Sequence, residues 1–529
     1  MAVATCEHHA AALVVDGQVV SAVEEERLNG VKHYGWSPPG RPGANLVNTA
    51  GLTLNDVLCR GSVRWLLEPR GLSLADVDII AINGIPHRHL GARECVRVDR
   101  YVYVPHHLAH ASLAARTSPW DRCNVLTVDG RGEYETAAWF TYRDGVLSRR
   151  GELPAGEGRS IGGAYETVTR VLGFGAHGQG QTMALAAFAQ GAATRLAEAY
   201  RVDGFDRYVL DEARLQALAE ARMAGASGAM SQRAWELAAD VQAATEDAVV
   251  ALGREGQATD PDGRWAVAGG VALNCCANSV LRDRLGVEVW VPSAAHDAGT
   301  ALGAALEAAH LMGEPACGPL RRAGLGPDIA DEDVDAELAR AGLVAVDTAD
   351  PLGAAVDRLC QGRVLGFVSG GLEFGPRALG HRSIVAHPGL PGTQDRVNAI
   401  KDRQRWRPFG PSVLAEHAAD WFADPGFGPF MTHTASVLPE RREAVAAIVH
   451  VDGTTRPQAV QAGDHDPWRR LIEAFHGATG IPMVLNTSFN GRDEPIVRGA
   501  REAIASGRRI GLDALWLGGR LVDLPGARG

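Results

Sequence analysis

Two histidines four residues apart, His106 and His110, stand in the Ala- and Leu-rich stretch Pro-His-His-Leu-Ala-His-Ala at 105–111. On a helix that spacing turns both imidazoles to one face, where they can share a metal ion. Just downstream, Asn124 to Val128 reads as a short buried strand that stops at Asp129-Gly130, and strand ends are where α/β proteins present side chains to ligands. Two histidines and an aspartate make an incomplete coordination sphere with room for a substrate. The competing reading of the same residues is a hydrogen-bonded histidine pair in a core, followed by a plain Asp-Gly turn.

Other stretches carry chemistry of a different kind. Arg264 to Ala268 reads as a strand running into Gly269-Gly270-Val-Ala-Leu-Asn274, where paired glycines let backbone approach a ligand and a helix N-terminus follows, a nucleotide-loop pattern. Asp297, in Ser-Ala-Ala-His-Asp-Ala-Gly-Thr, is either the N-cap of the next helix or a third protein ligand to the metal. The second half is rich in cations: Arg377 and Arg382 in a Gly-rich loop, Lys401 and Arg407 around Trp406 and Phe409, and Arg456 after His450-Val-Asp-Gly-Thr-Thr. A solvated helix face would explain such a run, but Trp406-Arg407-Pro408-Phe409 interrupts helical order, so a loop offering Lys401 and Arg407 to a phosphate or carboxylate is an equal reading. Pro482 to Leu485 reads as a buried strand leading into Asn486-Thr487-Ser488, whose amide and hydroxyls suit a polar ligand.

Lysine usage is unusual. Of 52 basic residues only Lys32 and Lys401 are lysine, the pattern expected where a coding bias has converted every exchangeable Lys to Arg. The two survivors then mark places where a compact ammonium is needed and a planar guanidinium misaligns. Chance is the alternative.

The elements that must position these groups are legible from pattern and turn chemistry. Ala2 to Glu7 reads as a strand, and Ala10 to Val15 and Gln18 to Val23 as a hairpin turning at Asp16-Gly17. His8, His9, Lys32 and His33 flank it. Residues 43–75 read as helical, Val77 to Ile85 as a strand, and Trp139 to Leu147 as a second hairpin turning at Asp144-Gly145. Gly173-Phe-Gly-Ala-His-Gly178 matches a dinucleotide fingerprint by count, yet no strand feeds it and no acidic residue comes after it at the required spacing, so it reads as a close-packed loop. Residues 210–256 are helical in pattern, Val287 to Val291 and Val364 to Ser369 are strands, and a mixed Gly, Pro and acidic stretch places a domain boundary near residue 335.

Composition bounds the function classes. A chain of 529 residues with 46% hydrophobic and 22% charged residues is long enough for two globular domains. A net charge of -11 argues against broad nucleic-acid binding, so any polyanion must meet a local basic pocket. The eight scattered cysteines form neither a disulfide framework nor a zinc motif, and no signal or membrane-spanning run is present, so a cytoplasmic location is expected.

Taken together, His-His-Leu-Ala-His-Ala at 106–111, Val-Asp-Gly at 128–130, Gly-Gly-Val-Ala-Leu-Asn at 269–274, Asp-Ala-Gly-Thr-Ala-Leu-Gly at 297–303, Glu-Phe-Gly-Pro-Arg-Ala-Leu-Gly-His-Arg-Ser-Ile at 373–384, the 401–409 segment, His-Val-Asp-Gly-Thr at 450–454 and Asn-Thr-Ser-Phe-Asn at 486–490 resemble the O-carbamoyltransferases of antibiotic and nodulation-factor biosynthesis. The resemblance covers nearly the whole chain. It implies an α/β domain of the actin and sugar-kinase superfamily over 1–335, similar to the metal-binding subunit of tRNA threonylcarbamoyl transfer, and a YrdC-like α+β domain over 336–529. It also implies a two-step reaction. Carbamoyl phosphate and ATP, with Mg, give carbamoyl adenylate in the second domain, and the first domain passes the carbamoyl group to a hydroxyl of a small, sugar-bearing metabolite.

Carried over residue by residue, the resemblance makes His106, His110 and Asp297 metal ligands, with Asp129 on the metal or its nucleotide. Fe(II) is the expected ion, and Mn, Co or Zn also fit such ligands. Gly269, Gly270 and Asn274 fall in the nucleotide loop. Arg377, Arg382, Lys401, Arg407, Arg456, Asn486, Thr487 and Ser488 fall in the anion pocket, with Lys401 and Arg407 catalytic. His8 or His33 is the expected general base, although this chain reads His8-His9 where the family has His-Asp. A phosphotransferase of the sugar-kinase superfamily and a non-catalytic nucleotide-binding regulator are the other readings, and the oligomeric state is left open, a homodimer being one option.

Overall fold

The computed structural model describes residues 1–6, 9–34, 61–83, 94–156, 160–189 and 196–525. Two units divide the chain: residues 1–22 with 35–320, and residues 23–34 with 321–529. The break falls earlier than the expected 335 because the strand Gly324–Asp328 pairs antiparallel with Gly371–Glu373 and so belongs to the second unit. Composition does not separate the segment 23–34 from its surroundings. Its membership of the second unit is decided by packing.

The first unit is built on two sheets of mixed direction. In one, Ala2–Cys6 runs antiparallel to Ala10–Val15 and parallel to Ile79–Asn83, which in turn runs parallel to Tyr101–Val104. In the other, Arg122–Val128 lies between Arg264–Ala268, parallel to it, and Glu135–Arg143, antiparallel. Both expected hairpins form. Asp16 and Gly17 have φ of 51° and 75°, and Asp144 and Gly145 have φ of 50° and 83°, the left-handed pair that a two-residue turn between twisted strands requires.

Two helices of small residues, His106–Arg116 and Gly299–Leu311, pack closely against each other. At Gly303 a Cβ would stand 1.9 Å from the carbonyl oxygen of Ala109, so only glycine permits the approach. That contact fixes the histidine helix relative to the loop carrying Asp297. The helical pattern over 43–75 is described only from Gly61, where the helix Gly61–Leu67 lies; residues 43–60, like His8, lie outside the described residues.

The second unit is organised on a seven-stranded sheet in the order Gln458–Val460, Gly410–Leu414, Met483–Ser488, Arg382–Ala386, Leu365–Val368, Ala514–Leu517, Arg520–Asp523. Both faces are covered, and successive residues serve opposite cores. Ile384 and Ala386 join one cluster with Met483 and Leu485, and that face packs on Ala500, Ala503 and Ile504 of the helix Ala500–Ile510. Val385 and Val484 join the other, with Val356 and Leu359 of the helix Pro351–Cys360 and Leu471, Ile472 and Phe475 of Asp466–Thr479.

The strand expected over 482–485 continues to Ser488, because Asn486, Thr487 and Ser488 pair with Val385, Ile384 and Ser383 of the neighbouring strand. Among the described residues no helix is long and apolar enough to cross a membrane.

Candidate functional site

His106 and His110 occupy the first and second turns of their helix, both buried. The helix begins at His106, whose backbone N–H donates to the Glu133 carboxylate at 3.0 Å, an anion at the positive end of the helix. Asp129 follows the strand Arg122–Val128, and Asp297 precedes the helix Gly299–Leu311. The two histidine Nε2 atoms are 3.2 Å apart. Asp129 Oδ2 lies 3.5 Å from His106 Nε2 and 3.0 Å from His110 Nε2, and Asp297 Oδ1 lies 3.5 and 3.4 Å from the same atoms. All four ligand atoms fall within 4.8 Å of one another.

The surroundings aim these groups. Backbone N–H groups of Gly130 and Gly270 donate to Asp129 Oδ1 and Oδ2 at 2.6 and 3.0 Å. Ser160 Oγ donates to the Asp129 carbonyl at 3.0 Å. Gly269, at φ 94°, has room for no side chain, since a Cβ would stand 2.2 Å from the Val128 carbonyl oxygen. Gly269 and Gly270 therefore act on the carboxylate that the strand end presents. Asp297 is not a helix cap: the helix has no side-chain cap, and it is the Asp297 backbone carbonyl that accepts from Thr300 N and Oγ, at 3.0 and 2.6 Å. Its carboxylate faces the histidines.

Burial opposes a charge on His106, yet the hydrogen bond with Asp129 and the charges of Asp297, Asp129 and Glu133 outweigh it and push its pKa up to about 10. The cluster holds a cation at neutral pH, a proton on imidazole or a metal ion in its place. Neutral imidazole nitrogens and carboxylate oxygens at this separation form a donor set suited to a divalent transition metal. His107 behaves oppositely. Burial, and then the charges of His106 and His110, drive its pKa well down. Its Nδ1 lies 2.8 Å from Thr127 Oγ1, and that hydroxyl donates to the Ala138 carbonyl at 3.2 Å, so Nδ1–H donates to Thr127 and His107 is a packing residue.

Asn274 is withdrawn from the nucleotide loop. Its Oδ1 accepts from Ala277 N at 3.1 Å as the cap of the helix Cys275–Leu285, and its Nδ2 donates to Gln242 at 2.9 Å. The Gly173–Gly178 stretch joins the helices Ile161–Val171 and Gln179–Ala186 with no strand before it, as its sequence context requires.

In the second unit Lys401 ends the helix Thr393–Ile400 and is buried. Its ammonium donates to Ser488 O and Oγ at 2.5 and 3.2 Å and to Asn490 O and Oδ1 at 3.0 and 2.8 Å. Burial first, then the like charges of Arg403, Lys32 and Arg407, hold its pKa well below the ordinary lysine value. Burial and the neighbouring Arg456 lower Arg407 to about 10. Among the described residues, no carboxylate pairs with the Arg407 guanidinium. Arg403 lies 4.2 Å from the centre of the Phe409 ring and donates to Asn398 Oδ1 at 2.6 Å. A concentration of half-buried cations that repel one another is stabilised by a bound polyanion.

Arg382 does not belong to this group. It is fully buried, and its donors go to the carbonyls of Arg498 at 2.7 Å, Gly370 at 2.9 Å and Pro327 at 3.0 Å, which makes it a brace for three loops. Asn486 is buried on the strand, donating to Ala378 O at 3.0 Å and Ser412 Oγ at 2.9 Å, while Thr487 and Ser488 are half-buried.

Three residues emerge only from the tertiary structure. Asn490 is a direct partner of Lys401, and its place in the motif with Ser488 is the available signal. Glu373 Oε1 accepts from the backbone N–H groups of Leu379, His381 and Arg382, each at 2.9 Å, so one carboxylate folds the loop carrying Arg377. Glu133 has no local signal. His33, exposed at φ 55°, lies with the second unit, its backbone N–H donating to Glu26 at 2.6 Å.

One unit thus carries a His-His-Asp-Asp cluster and the other a concentration of Arg and Lys side chains. The Carbamoyltransferase N-terminus family model matches residues 89–306 and the Carbamoyltransferase C-terminus model residues 356–523. The chain is 34% identical to nodulation protein NolNO of Sinorhizobium fredii over 97% of its own length and 78% of that protein. It is also 34% identical to nodulation protein NolO of Bradyrhizobium diazoefficiens, over 79% of this chain and 78% of that one. The protein belongs to the carbamoyltransferase family and is a carbamoyltransferase. Among solved structures, component A of the (R)-2-hydroxyglutaryl-CoA dehydratase of Acidaminococcus fermentans is 15% identical and covers 59% of this chain and 97% of its own, at a TM-score of 0.37, a likeness too loose to bear on the fold.

Proposed function

We propose that the protein is an ATP-dependent O-carbamoyltransferase working at two centres. At the cation cluster of the second unit, carbamoyl phosphate is hydrolysed to carbamate and phosphate, and a carbamate oxygen attacks the α-phosphorus of ATP, releasing pyrophosphate and leaving carbamoyl adenylate. Two anions meet in that step. Lys401, Arg407, Arg377 and Arg456 offset their repulsion and the charge that develops on the phosphorus oxygens, and Thr487 and Ser488 supply polar contacts along the same wall. The observation that carries the reading is Lys401, a buried ammonium fixed by Ser488 and Asn490 beside Arg407.

At the first unit an acceptor hydroxyl attacks the carbamoyl carbon, forming the O-carbamoyl ester and releasing AMP and a proton. His106, His110, Asp129 and Asp297 would hold a divalent ion, Fe(II) first among the choices, that supplies Lewis acidity toward the adenylate. The protein's own part is to fix Asp129 through Gly130 and Gly270 and to keep His107 out of the coordination set. An actin- and sugar-kinase-like first domain and a YrdC-like second domain accord with this division, and a sugar-bearing metabolite is the acceptor class proposed. Exchange of labelled pyrophosphate into ATP that depends on carbamoyl phosphate tests the reading. Phosphorylation of an acceptor without such exchange would point instead to a phosphotransferase, and nucleotide binding without turnover to a regulator.

A further inference from the structure

The helices His106–Arg116 and Gly299–Leu311 meet along small residues. Gly299 and Gly303 of one face Leu113 of the other, where added Cβ atoms would stand 2.7 and 3.1 Å from that side chain. Ridges of larger side chains seated in grooves are what hold one helix in place along another. A surface of glycine and alanine sets the separation and leaves the sliding to be fixed elsewhere. The His-His-Asp-Asp cluster cannot tolerate sliding. Asp297 travels with its helix, through the bonds its carbonyl accepts from Thr300, and a slip of one residue moves a helix by about 1.5 Å. Metal ligands must keep their places to within about 0.2 Å.

A buried guanidinium lies where that register can be set. Arg116, in the last turn of the histidine helix, donates from Nη2 and Nε to Glu307 Oε2 at 2.9 and 3.2 Å, and Glu307 stands in the helix Gly299–Leu311. The two side chains are 2% and 9% exposed, so water does not loosen the pair. Nε also donates to Ser112 Oγ at 2.9 Å, one turn back on its own helix, which fixes the direction of the stem. Nη1 donates to the Gly145 carbonyl at 3.0 Å. Gly145 is in the turn of the hairpin whose first strand, Glu135–Arg143, pairs with Arg122–Val128, the strand that ends at Asp129. The elements that carry all four members of the cluster therefore converge on one side chain, whose planar fork reaches each of them at a set angle. Desolvation offsets most of the attraction within a buried ion pair, so such a pair adds little net stability, and fixing register is the use it serves best.

We propose that Arg116 and Glu307 are positioning residues of the metal centre in the first unit, a buried pair that sets the register of the two helices so that Asp297 meets His106 and His110. This rests on the metal-holding role proposed for that cluster, and its test does not require turnover. Co(II), whose visible absorption reports the number and geometry of its ligands, is titrated into the metal-free full chain. The wild type is compared with the double variant Arg116→Met/Glu307→Leu, with Arg116→Lys and with His110→Ala, each at a temperature where circular dichroism shows it folded. Replacing both charges removes the pair without stranding a buried charge. The double variant should bind Co(II) about tenfold or more weakly, with a changed visible spectrum, and Arg116→Lys, which keeps the charge pair, should recover part of the loss. Wild-type affinity and spectrum in the double variant overturn the proposal whatever happens to Tm, and a lowered Tm alongside them identifies a purely structural pair. Should the double variant not fold, Glu307→Gln carries the same test: it keeps the shape and removes the charge, a smaller loss of affinity is expected, and an unchanged affinity and spectrum overturn the proposal. A wild type that takes up no Co(II), or uptake that His110→Ala leaves intact, overturns the metal reading and the proposal with it, a result distinct from a double variant that binds like the wild type.

Discussion

The two centres solve opposite electrostatic problems. In the first unit two carboxylates and two imidazoles crowd together, and the assembly calls for a cation, as the rise of His106 to about 10 shows. In the second unit Lys401, Arg403, Arg407 and Arg456 crowd together, burial lowers three of them, and the assembly calls for an anion. In each, uncharged groups fix a central charged side chain. Gly130 and Gly270 fix Asp129, and the carbonyls of Ser488 and Asn490 fix Lys401. A site that satisfied its charges internally would leave nothing for a ligand to do.

The largest expected effect separates the two centres. His110→Ala should abolish carbamoyl transfer and remove bound metal, measured by elemental analysis, while carbamoyl-phosphate-dependent pyrophosphate exchange persists. Loss of both half-reactions together would end the division of labour.

Next comes Lys401→Arg. It keeps the charge but cannot place a planar fork among four oxygens of Ser488 and Asn490, so pyrophosphate exchange should fall about 10²- to 10³-fold. An unaltered exchange rate would make the scarcity of lysine meaningless.

Glu373→Ala removes the shared acceptor of three backbone N–H groups and should destabilise the second unit by about 1–3 kcal/mol, read as a lower midpoint in denaturant, with Glu373→Gln milder. A Glu373→Ala protein of wild-type stability would show that the Arg377 loop holds its shape unaided.

The smallest effect is on pH dependence. His381 and His465 stack with ring centres 4.0 Å apart. Burial chiefly holds each down to about 3, the positive Arg382 adding to it for His381 and a charge on His381 adding to it for His465. Because these folded values lie below the ordinary histidine value of 6.5, the unfolded chain binds more protons between them. Stability should therefore be complete above about pH 6.5 and fall as pH drops toward 3. His465→Phe keeps a stacked ring and should flatten that fall in a series of Tm against pH; an identical slope would exclude the pair as its source.

Local pattern made much of this legible. Asp-Gly turns located both hairpins, short apolar runs located the buried strands, and the four-residue histidine spacing located the first two members of the His-His-Asp-Asp cluster. It failed where an answer depends on what lies across space. Asn274 and Arg382 carry ligand-like side chains in ligand-like motifs, yet Gln242 and a set of loop carbonyls take up their hydrogen-bonding capacity. Asn486 to Ser488, read as polar groups that follow the strand 482–485, form that strand's end, because a neighbour on the sheet extends the ladder. Asp297 read by its local sequence first as a helix cap, and the direction of its carboxylate, toward the two histidines, decides against that.

The sequence by itself determined the chemical inventory: two histidines at helical spacing, carboxylates at strand and helix junctions, two lysines among fifty arginines, and the glycines that permit close backbone approach. Residue type and short-range periodicity act within a turn or a few strand positions, so they can be read along the chain. Only the tertiary structure decided which of these groups meet. It brought Asp297 to His106 and His110, Asn490 to Lys401, and the segment 23–34 to the second unit. Those contacts are set by packing between elements distant in sequence, where the energy of one position depends on the neighbour that the whole fold supplies.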